Sequence, residues 1–317
     1  MSKQSIPIQV RRHPLVATVR KAIGNQNVVV GVSGGSDSVA LLLLTASVAL
    51  QESSEISVVA AHVNHALRKE ADEEQMMVEQ LCKRIGIRCE SRRITVSPVN
   101  GSIAAGARVA RYSALAEIAR EVNYPCVAVA HHAEDQLETM LIALCRGGGL
   151  RKLSGIATVR PLCSGINLHR PLLHVEKSEL ISICKEADVR WCEDPTNVDL
   201  STPRGRLRED VIPIIREIWS SADKHAANSS TILHAAADAF EESIPNGNTW
   251  DRSALAELPT PFIDAALHLA IGDNATYETI QSISEAVVDK STQPRTFQCK
   301  NGWLATITVK DVVVHHS

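Results

Sequence analysis

The chain has 317 residues, a formal net charge of −3, 44% hydrophobic residues and only 3% aromatic residues. This length predicts two domains, and the scarcity of aromatic residues indicates cores of Ala, Val, Leu and Ile, which suit helices packed on a parallel sheet. There is no apolar signal region, and the longest apolar run, residues 39–50, is too short to cross a bilayer, so we predict a cytoplasmic protein without a membrane partner. The eight cysteines contain no C-x-x-C pair, which disfavours a zinc knuckle, an iron–sulfur cluster and a thioredoxin-type dithiol.

Strand and helix patterns alternate through the first half of the chain. The predicted strands are residues 28–32, 57–63, 88–96 and 126–130, and the predicted helices are residues 37–50, 71–85, 103–123 and 134–145. This order predicts an α/β fold with a doubly wound parallel sheet. A hairpin near residues 158–171 and a helix at 176–188 are expected to follow.

The character of the sequence changes after about residue 218. Ala-rich helical patterns at 222–242, 253–270 and 276–290 precede an alternating tail at 296–314. Within that tail, Lys300-Asn301-Gly302 predicts a hairpin turn. We therefore predict a larger domain over residues 1–218 and a smaller, mainly helical domain over residues 219–317 that ends in a β-hairpin.

The most informative loop follows the first predicted strand. A strand, a small-residue loop and a helix start together bind phosphate, because glycines let the backbone approach the anion and the helix N-terminus offers unpaired N–H groups. The loop matches neither a Walker A motif nor a dinucleotide fingerprint. A serine- and glycine-rich cap on a buried helix is the alternative, but caps rarely need two glycines and three hydroxyls. The residues predicted to bind phosphate are Ser33, Gly34, Gly35, Ser36, Asp37 and Ser38.

Asp37 lies inside this predicted anion site. Its carboxylate would repel a phosphate unless a cation lay between them. We therefore predict a Mg²⁺ ion that bridges the Asp37 carboxylate and a pyrophosphate group.

Polar residues also follow the second and fourth predicted strands, in the runs HVNHALR at 62–68 and HHAEDQLET at 131–139. Ligands of open α/β sheets bind outside these strand ends. Asp135 and Glu138 are three residues apart on one helix face, where they can close on one cation or ammonium group or remain ordinary solvent-facing acids. His131 and His132 are sequential and point apart, which disfavours a zinc site and favours packing and adenine contacts.

The helix that carries these two acids has a separate apolar stripe. At 100° per residue, the stripe and the polar residues fall on opposite sides of the helix. The stripe consists of Leu137, Met140, Leu141 and Leu144, and the opposite side carries Asp135, Glu138, Thr139 and Arg146.

Positive charge is concentrated in the first two-thirds of the chain. Residues 83–121 contain eight Lys or Arg against three Glu, whereas residues 221–285 contain two against ten Asp or Glu. Arginine suits phosphate because its planar fork binds two oxygens, although any one of these arginines could serve as a surface residue. Arg108 and Arg111 share a helix face beside Tyr112. A polyanion is therefore expected to contact the first two-thirds of the molecule.

Taken in order, the motifs resemble those of the bacterial tRNA(Ile)-lysidine synthetases, a family of PP-loop ATP pyrophosphatases, which split ATP into AMP and pyrophosphate. The resemblance covers roughly residues 25–215 and departs at two places. Glu134 stands where the family usually has an aspartate, and Arg204-Gly205-Arg206-Leu207-Arg208 lacks the asparagine that the family has after the first arginine. The matching motifs are SGGSDS at 33–38, HVNHALR at 62–68, AR-x-x-RY at 107–112, EDQLET at 134–139, RGGG at 146–149, RPLL at 170–173 and EDPTN at 193–197.

The resemblance implies a ligase that uses ATP, Mg²⁺ and free L-lysine to convert the cytidine at the first anticodon position of tRNA(Ile), anticodon CAU, to lysidine. Residues 1–218 would be the ATP-binding catalytic domain and residues 219–317 an accessory domain that recognises tRNA; a homodimer is left open. The implied catalytic residues are Asp37, Asp135, Glu138, Arg108 and Arg111. The implied nucleotide-binding residues are those of the loop at 33–38 together with His62 and His131. The implied contacts with the substrate and the tRNA are His65, Arg68, Arg146, Arg170, Arg204 and Arg208.

Two other functions remain open. The first is another PP-loop enzyme, such as a tRNA thiolase or an amidotransferase-linked synthetase. Thiolases commonly carry C-x-x-C pairs, and amidotransferase-linked synthetases commonly carry a fused glutaminase; this sequence shows neither feature. A non-catalytic ATP-binding module would not need Asp37 or the Asp135 and Glu138 pair.

Overall fold

The computed structural model describes residues 6–51, 54–65, 71–99, 101–192 and 202–317, which form two compact units, Met1–His234 and Ala235–Ser317. The helices are α1 (Ile8–Arg11), α2 (Pro14–Ile23), α3 (Ser36–Ala49), α4 (Ala71–Ile85), α5 (Ile103–Glu121), α6 (Ala133–Cys145), α7 (Leu150–Leu153), α8 (Lys177–Glu186), α9 (Pro203–Arg206), α10 (Ile212–Ile218), α11 (Ala222–Glu242), α12 (Arg252–Ala256), α13 (Thr260–Ile271) and α14 (Tyr277–Val288). The strands are β1 (Val28–Gly31), β2 (Val58–Asn64), β3 (Arg88–Arg93), β4 (Cys126–Ala128), β5 (Val159–Cys163), β6 (Ile166–His169), β7 (Thr249–Asp251), β8 (Arg295–Gln298), β9 (Trp303–Ile307) and β10 (Asp311–His316).

The first unit is built on a six-stranded sheet in the order β3-β2-β1-β4-β6-β5. Five strands are parallel, and β5 runs antiparallel to β6 in the predicted hairpin. One apolar core lies between the sheet and α2, α3, α4 and α8, and a second lies between the sheet and α5. The predicted α/β fold with a parallel sheet covered on both faces is confirmed.

Helix α3 is buried all round, which explains its unbroken apolar sequence. Residues 38–48 are all buried, because the sheet covers one side of the helix and α2 and α8 cover the other. The loop predicted to bind phosphate, residues 33–38, is therefore attached to a helix that is buried on all sides.

The second unit contains a four-stranded antiparallel sheet, β7-β10-β9-β8, packed against α12, α13 and α14. The predicted turn at Lys300–Gly302 joins β8 and β9, with Asn301 at φ +54°. The helix predicted over 253–270 is two helices, because Pro259 and Pro261 start a new helix there. Arg252 is buried and donates hydrogen bonds to backbone carbonyls that include those of Ala286 and Val287 at the end of α14.

The division between the two compact units falls after His234, within α11. The assignment of catalytic and recognition functions to residues 1–218 and 219–317 stays a prediction. No helix within the described ranges combines the length and the apolar character that crossing a membrane requires.

Candidate active site

The SGGSDS loop joins β1 to α3 and is closed by the Ser38 hydroxyl. Ser38 Oγ accepts hydrogen bonds from the N–H groups of Ser33 (3.1 Å) and Gly34 (3.2 Å), and donates to the carbonyl of Gly35 (2.9 Å). Gly34 has φ +100°, a conformation that favours glycine. The loop is thus a fixed turn at the N-terminus of α3, where a helix attracts anions.

Asp37 lies beside this turn and faces His132 at the start of α6. The Nε2 atom of His132 is 3.5 Å from Asp37 Oδ2 and 3.7 Å from Asp135 Oδ2. Burial alone would raise the pKa of Asp37, but His132 and Lys177 outweigh it and hold that pKa below its usual value. Burial disfavours protonation of His132, yet Asp37, Asp135 and Glu134 raise its pKa. An imidazole therefore links carboxylates from two strand ends.

Asp135 caps α6 and remains ionised. Its Oδ2 atom accepts a hydrogen bond from the backbone N–H of His132 at 3.0 Å. Burial would raise the pKa of Asp135, but the charge of His132, that backbone hydrogen bond and the charge of Arg204 lower it. A carboxylate that is held ionised at a strand end suits a cationic ligand.

Glu138 is fully buried, and both of its oxygens accept hydrogen bonds from arginine. Arg204 Nε donates to Oε2 and Arg208 Nε donates to Oε1, each at 2.6 Å. The same two guanidinium groups lie 3.6 and 3.5 Å from Asp135 Oδ1. In this conformation Arg204 and Arg208, which the resemblance assigned to tRNA, instead bind the carboxylates that it assigned to lysine.

Glu134, the residue that departs from the family pattern, extends this network. Its Oε2 atom accepts a hydrogen bond from Arg216 at 2.8 Å, and Arg216 also contacts Asp223 Oδ2 at 2.7 Å. Arg216 and Asp223 belong to no sequence motif and could not be predicted as part of the site. Their ion pairs connect α6 with α10 and α11 within the first unit.

Positive and negative charges nearly balance in this cluster. Five carboxylates (Asp37, Glu134, Asp135, Glu138 and Asp223) meet three guanidinium groups (Arg204, Arg208 and Arg216), and Lys177, whose charge acts on Asp37, and His132 supply up to two more positive charges.

The donor chemistry of the cluster fits Mg²⁺ held together with phosphates. Within the described ranges, no group of three or more His, Cys, Asp or Glu side chains is arranged to hold a metal ion. Mg²⁺ needs no such group, since it is commonly held by one or two carboxylates plus the oxygens of a phosphorylated substrate. Asp37, a partly exposed carboxylate beside the loop, matches that requirement.

The predicted histidines take three different positions. His62 is buried on β2, with Nδ1 2.9 Å from the carbonyl oxygen of Val32, and burial lowers its pKa. His65 Nε2 accepts a hydrogen bond from Arg111 Nε at 3.3 Å. Burial also lowers the pKa of His131, so that its ring stays neutral near the cluster.

A separate basic pocket of about 670 Å³ lies beyond α6. Two predicted substrate contacts, Arg146 and Arg170, line it together with Arg108, which the resemblance implies to be catalytic. The other predicted residues of these motifs lie elsewhere: Arg111 contacts His65, and Arg68 and the EDPTN run at 193–197 fall outside the described residues.

A comparison with protein families identifies the larger part of the chain. Residues 9–215 match the family model described as the PP-loop domain. The chain belongs to the PP-loop domain family. The SGGSDS turn between β1 and α3, which the sequence predicts to bind phosphate, is called the PP-loop below.

Among curated proteins, the chain is similar to tRNA(Ile)-lysidine synthase of Actinobacillus pleuropneumoniae serotype 3, with 36% identity over 205 residues, covering 65% of this chain and 46% of that protein. It is 41% identical over 197 residues to tRNA(Ile)-lysidine synthase of Bacillus anthracis, covering 60% of this chain and 40% of that protein. The aligned part thus spans less than half the length of these relatives.

Among solved structures, the chain is similar to the U34-tRNA thiolase NcsA from Methanococcus maripaludis. The TM-score is 0.57 at 16% identity, and the match covers 69% of this chain and 78% of that one. This likeness shows the PP-loop fold.

Because burial lowers the pKa of His62, we expect the stability of the first unit, Met1–His234, to depend on pH. A histidine in the unfolded chain takes up a proton below about pH 6.5, whereas folded His62 resists it, so His62 contributes stability above that pH and loses it as the pH falls. We expect the difference in unfolding free energy between wild type and His62→Gln to be smaller at about pH 5 than at about pH 8. Urea unfolding measures it, with exposed His315→Gln as the control. A pH-independent difference would contradict the prediction.

Proposed function

We propose that the chain is a cytoplasmic ATP-dependent ligase that joins lysine to C2 of the first anticodon cytidine of tRNA(Ile), anticodon CAU, to form lysidine. The observation that carries the proposal is the meeting of two features at adjacent strand ends. The PP-loop contains Asp37, and His132 lies between Asp37 and the carboxylate cluster on α6. The name of the curated relatives points to the same reaction.

The first step activates the base. The cytosine O2 attacks the α-phosphorus of ATP, the bond from that phosphorus to the α,β-bridging oxygen breaks, and pyrophosphate leaves. The N–H groups of the PP-loop and the N-terminus of α3 would hold the pyrophosphate. Asp37 would hold Mg²⁺, which neutralises phosphate charge when it is bound.

The second step requires a neutral amine. The ε-nitrogen of lysine attacks C2, the bond from C2 to O2 breaks, and AMP leaves with that oxygen. Deprotonating a lysine at pH 7 costs about 4–5 kcal/mol, given its pKa near 10.4. Asp135 would seat the ammonium group, which loses one proton to solvent before the attack, and would accept a second proton once the new bond to C2 makes the nitrogen acidic.

Glu138 supports this arrangement in a different way from Asp135. Both of its oxygens are already bonded by Arg204 and Arg208, so a lysine ammonium would reach it only by displacing a guanidinium. We therefore assign the lysine seat to Asp135, and assign to Glu138 the positioning of the two arginines beside it.

The Asp135→Asn variant should raise the KM for lysine by roughly tenfold or more, because it replaces a charge-assisted contact with a neutral one. The KM for ATP should change little. Steady-state AMP formation at varied lysine and varied ATP measures both constants, with Asp210→Asn as the control, since Asp210 is exposed and pairs only with Arg206 among the described residues. A rise in the KM for ATP with that for lysine unchanged would move Asp135 to the nucleotide site.

The nucleotide products separate the proposal from its alternatives. We expect free AMP to be formed from ATP only when tRNA(Ile) and lysine are both present, whereas pyrophosphate, which leaves in the first step, is released with tRNA(Ile) alone. A thiolase would form AMP with tRNA without requiring lysine, and a non-catalytic module would form none. Chromatography of labelled nucleotides, with each substrate omitted in turn, distinguishes these outcomes. The CAU specificity and the homodimer stay predictions.

A further inference from the structure

Three arginines surround Tyr112 at one side of the basic pocket. The guanidinium groups of Arg108, on the same helix, and of Arg160, on β5, each lie over the tyrosine ring at 5.1 Å from its centroid. Arg170 is almost fully buried beside them and donates a hydrogen bond to the carbonyl of Ala157 at 2.6 Å. Arg146, Arg151 and Lys152 line the same pocket.

Among the described residues, no acid balances the charges of Arg108, Arg160 and Arg170. The pocket lining contains no Asp or Glu, and within the described part of the chain Arg108, Arg160 and Arg170 form no ion pair with a carboxylate. The Nε atom of Arg170 is buried and has no hydrogen-bond partner there. Burial and the neighbouring arginines lower the pKa of Arg170. Like charges this close repel one another, so the arrangement favours a bound anion.

The pocket is distinct from the ATP site. Its lining includes neither Asp37 nor any PP-loop residue. A volume of about 670 Å³ is ample for phosphate groups with part of their sugar backbone. The Tyr112 ring is already covered by guanidinium groups, so a base would have to displace an arginine to stack on it. The chemistry therefore favours backbone phosphates over bases.

We propose that Arg108, Arg160 and Arg170, with Arg146, Arg151 and Lys152 around them, bind phosphodiester groups of the tRNA backbone without reading its sequence. The choice of RNA as the source of the phosphates rests on the proposed function. The pocket anchors the strand, and discrimination between tRNAs arises elsewhere, since phosphate contacts position a nucleic acid and base contacts specify it. Arg151, Lys152 and Arg160 lie outside all of the sequence motifs described above.

The test is the Arg160→Ala variant, because Arg160 is only partly buried and can be removed without opening the core. Equilibrium tRNA binding is measured over a range of salt concentrations for tRNA(Ile) and tRNA(Met). We expect roughly tenfold weaker binding of both tRNAs and a slope of log K against log[salt] reduced by about one. The KM for ATP should not change. Arg160→Lys should recover part of the loss, and Arg12→Ala, which removes an exposed arginine outside the pocket, is the matched control.

Each other outcome overturns the proposal. An unchanged salt slope excludes a phosphate contact at Arg160. A raised KM for ATP with normal tRNA binding makes the pocket a free-nucleotide site, and a loss confined to tRNA(Ile) makes it a base-reading site. Because binding is measured without catalysis, the pocket can be confirmed even if the wild-type protein forms no lysidine, and it can fail even if lysidine forms.

Discussion

The Asp37→Ala variant is expected to form AMP at least about a thousandfold more slowly than the wild type. Asp37 is the one PP-loop carboxylate, and its lowered pKa keeps it ionised beside His132 at neutral pH. Its removal would leave Mg²⁺ without its protein ligand where phosphate charge must be neutralised. AMP formation with saturating tRNA and lysine is the measurement, at several Mg²⁺ concentrations.

The fold should survive this substitution, since the Asp37 side chain is partly exposed and the loop is closed by Ser38. Thermal unfolding checks this point. Asp37→Asn should be nearly as inactive, because it keeps the shape and loses the charge, and Asp210→Ala on the surface should be fully active. Wild-type turnover by Asp37→Ala in the presence of Mg²⁺ would refute the bridging cation.

The Glu138→Ala variant should lower the free energy of unfolding by about 3–5 kcal/mol, the cost of leaving buried charges without a partner. Glu138 has no exposed surface, and its removal strips one hydrogen bond each from Arg204 and Arg208. Urea unfolding measures the loss. Exposed Glu117→Ala on α5 is the matched control, with an expected change within about 0.5 kcal/mol.

A double-mutant cycle separates this ion pair from simple loss of packing. Arg208→Ala should cost clearly less in the Glu138→Ala background than in the wild type, since its strongest partner is already absent. If Glu138→Ala proves too unstable to purify, Glu138→Gln keeps one acceptor oxygen and serves in the same cycle. Additive costs would mean that Glu138 and Arg208 do not stabilise each other.

Strands β1, β2 and β4 could be predicted from sequence because they are short, largely apolar runs with clear breaks. The packing of α6 could not be predicted from the sequence. The stripe pattern predicts that Leu144 is buried and Glu138 faces away from the core, yet Leu144 is 64% exposed and Glu138 is 0% exposed. Arginines about 70 residues further along the chain cover the polar face of the helix and bury its acids. Helical periodicity describes one element and carries no information about such a distant partner.

Counting charges along the chain also could not predict where the basic surface forms. Several cations of the basic segment 83–121 are paired on the surface: Arg88 and Arg92 with Glu90, and Arg93 with Asp72. The basic pocket instead forms where α5, the residues after α6 and the β5–β6 hairpin meet. Only the fold brings Arg160 to Arg108, so no local count of charges could predict it.

Mass spectrometry of the tRNA tests the central claim most directly. Unmodified tRNA(Ile) with a CAU anticodon is incubated with the protein, ATP, Mg²⁺ and lysine, digested to nucleosides and compared with a reaction without lysine. The account predicts that the first anticodon cytidine gains the mass of one lysine less one water, and that tRNA(Met) is unchanged. A tRNA that keeps its original mass while the protein binds ATP, or that gains sulfur in place of lysine, would contradict it.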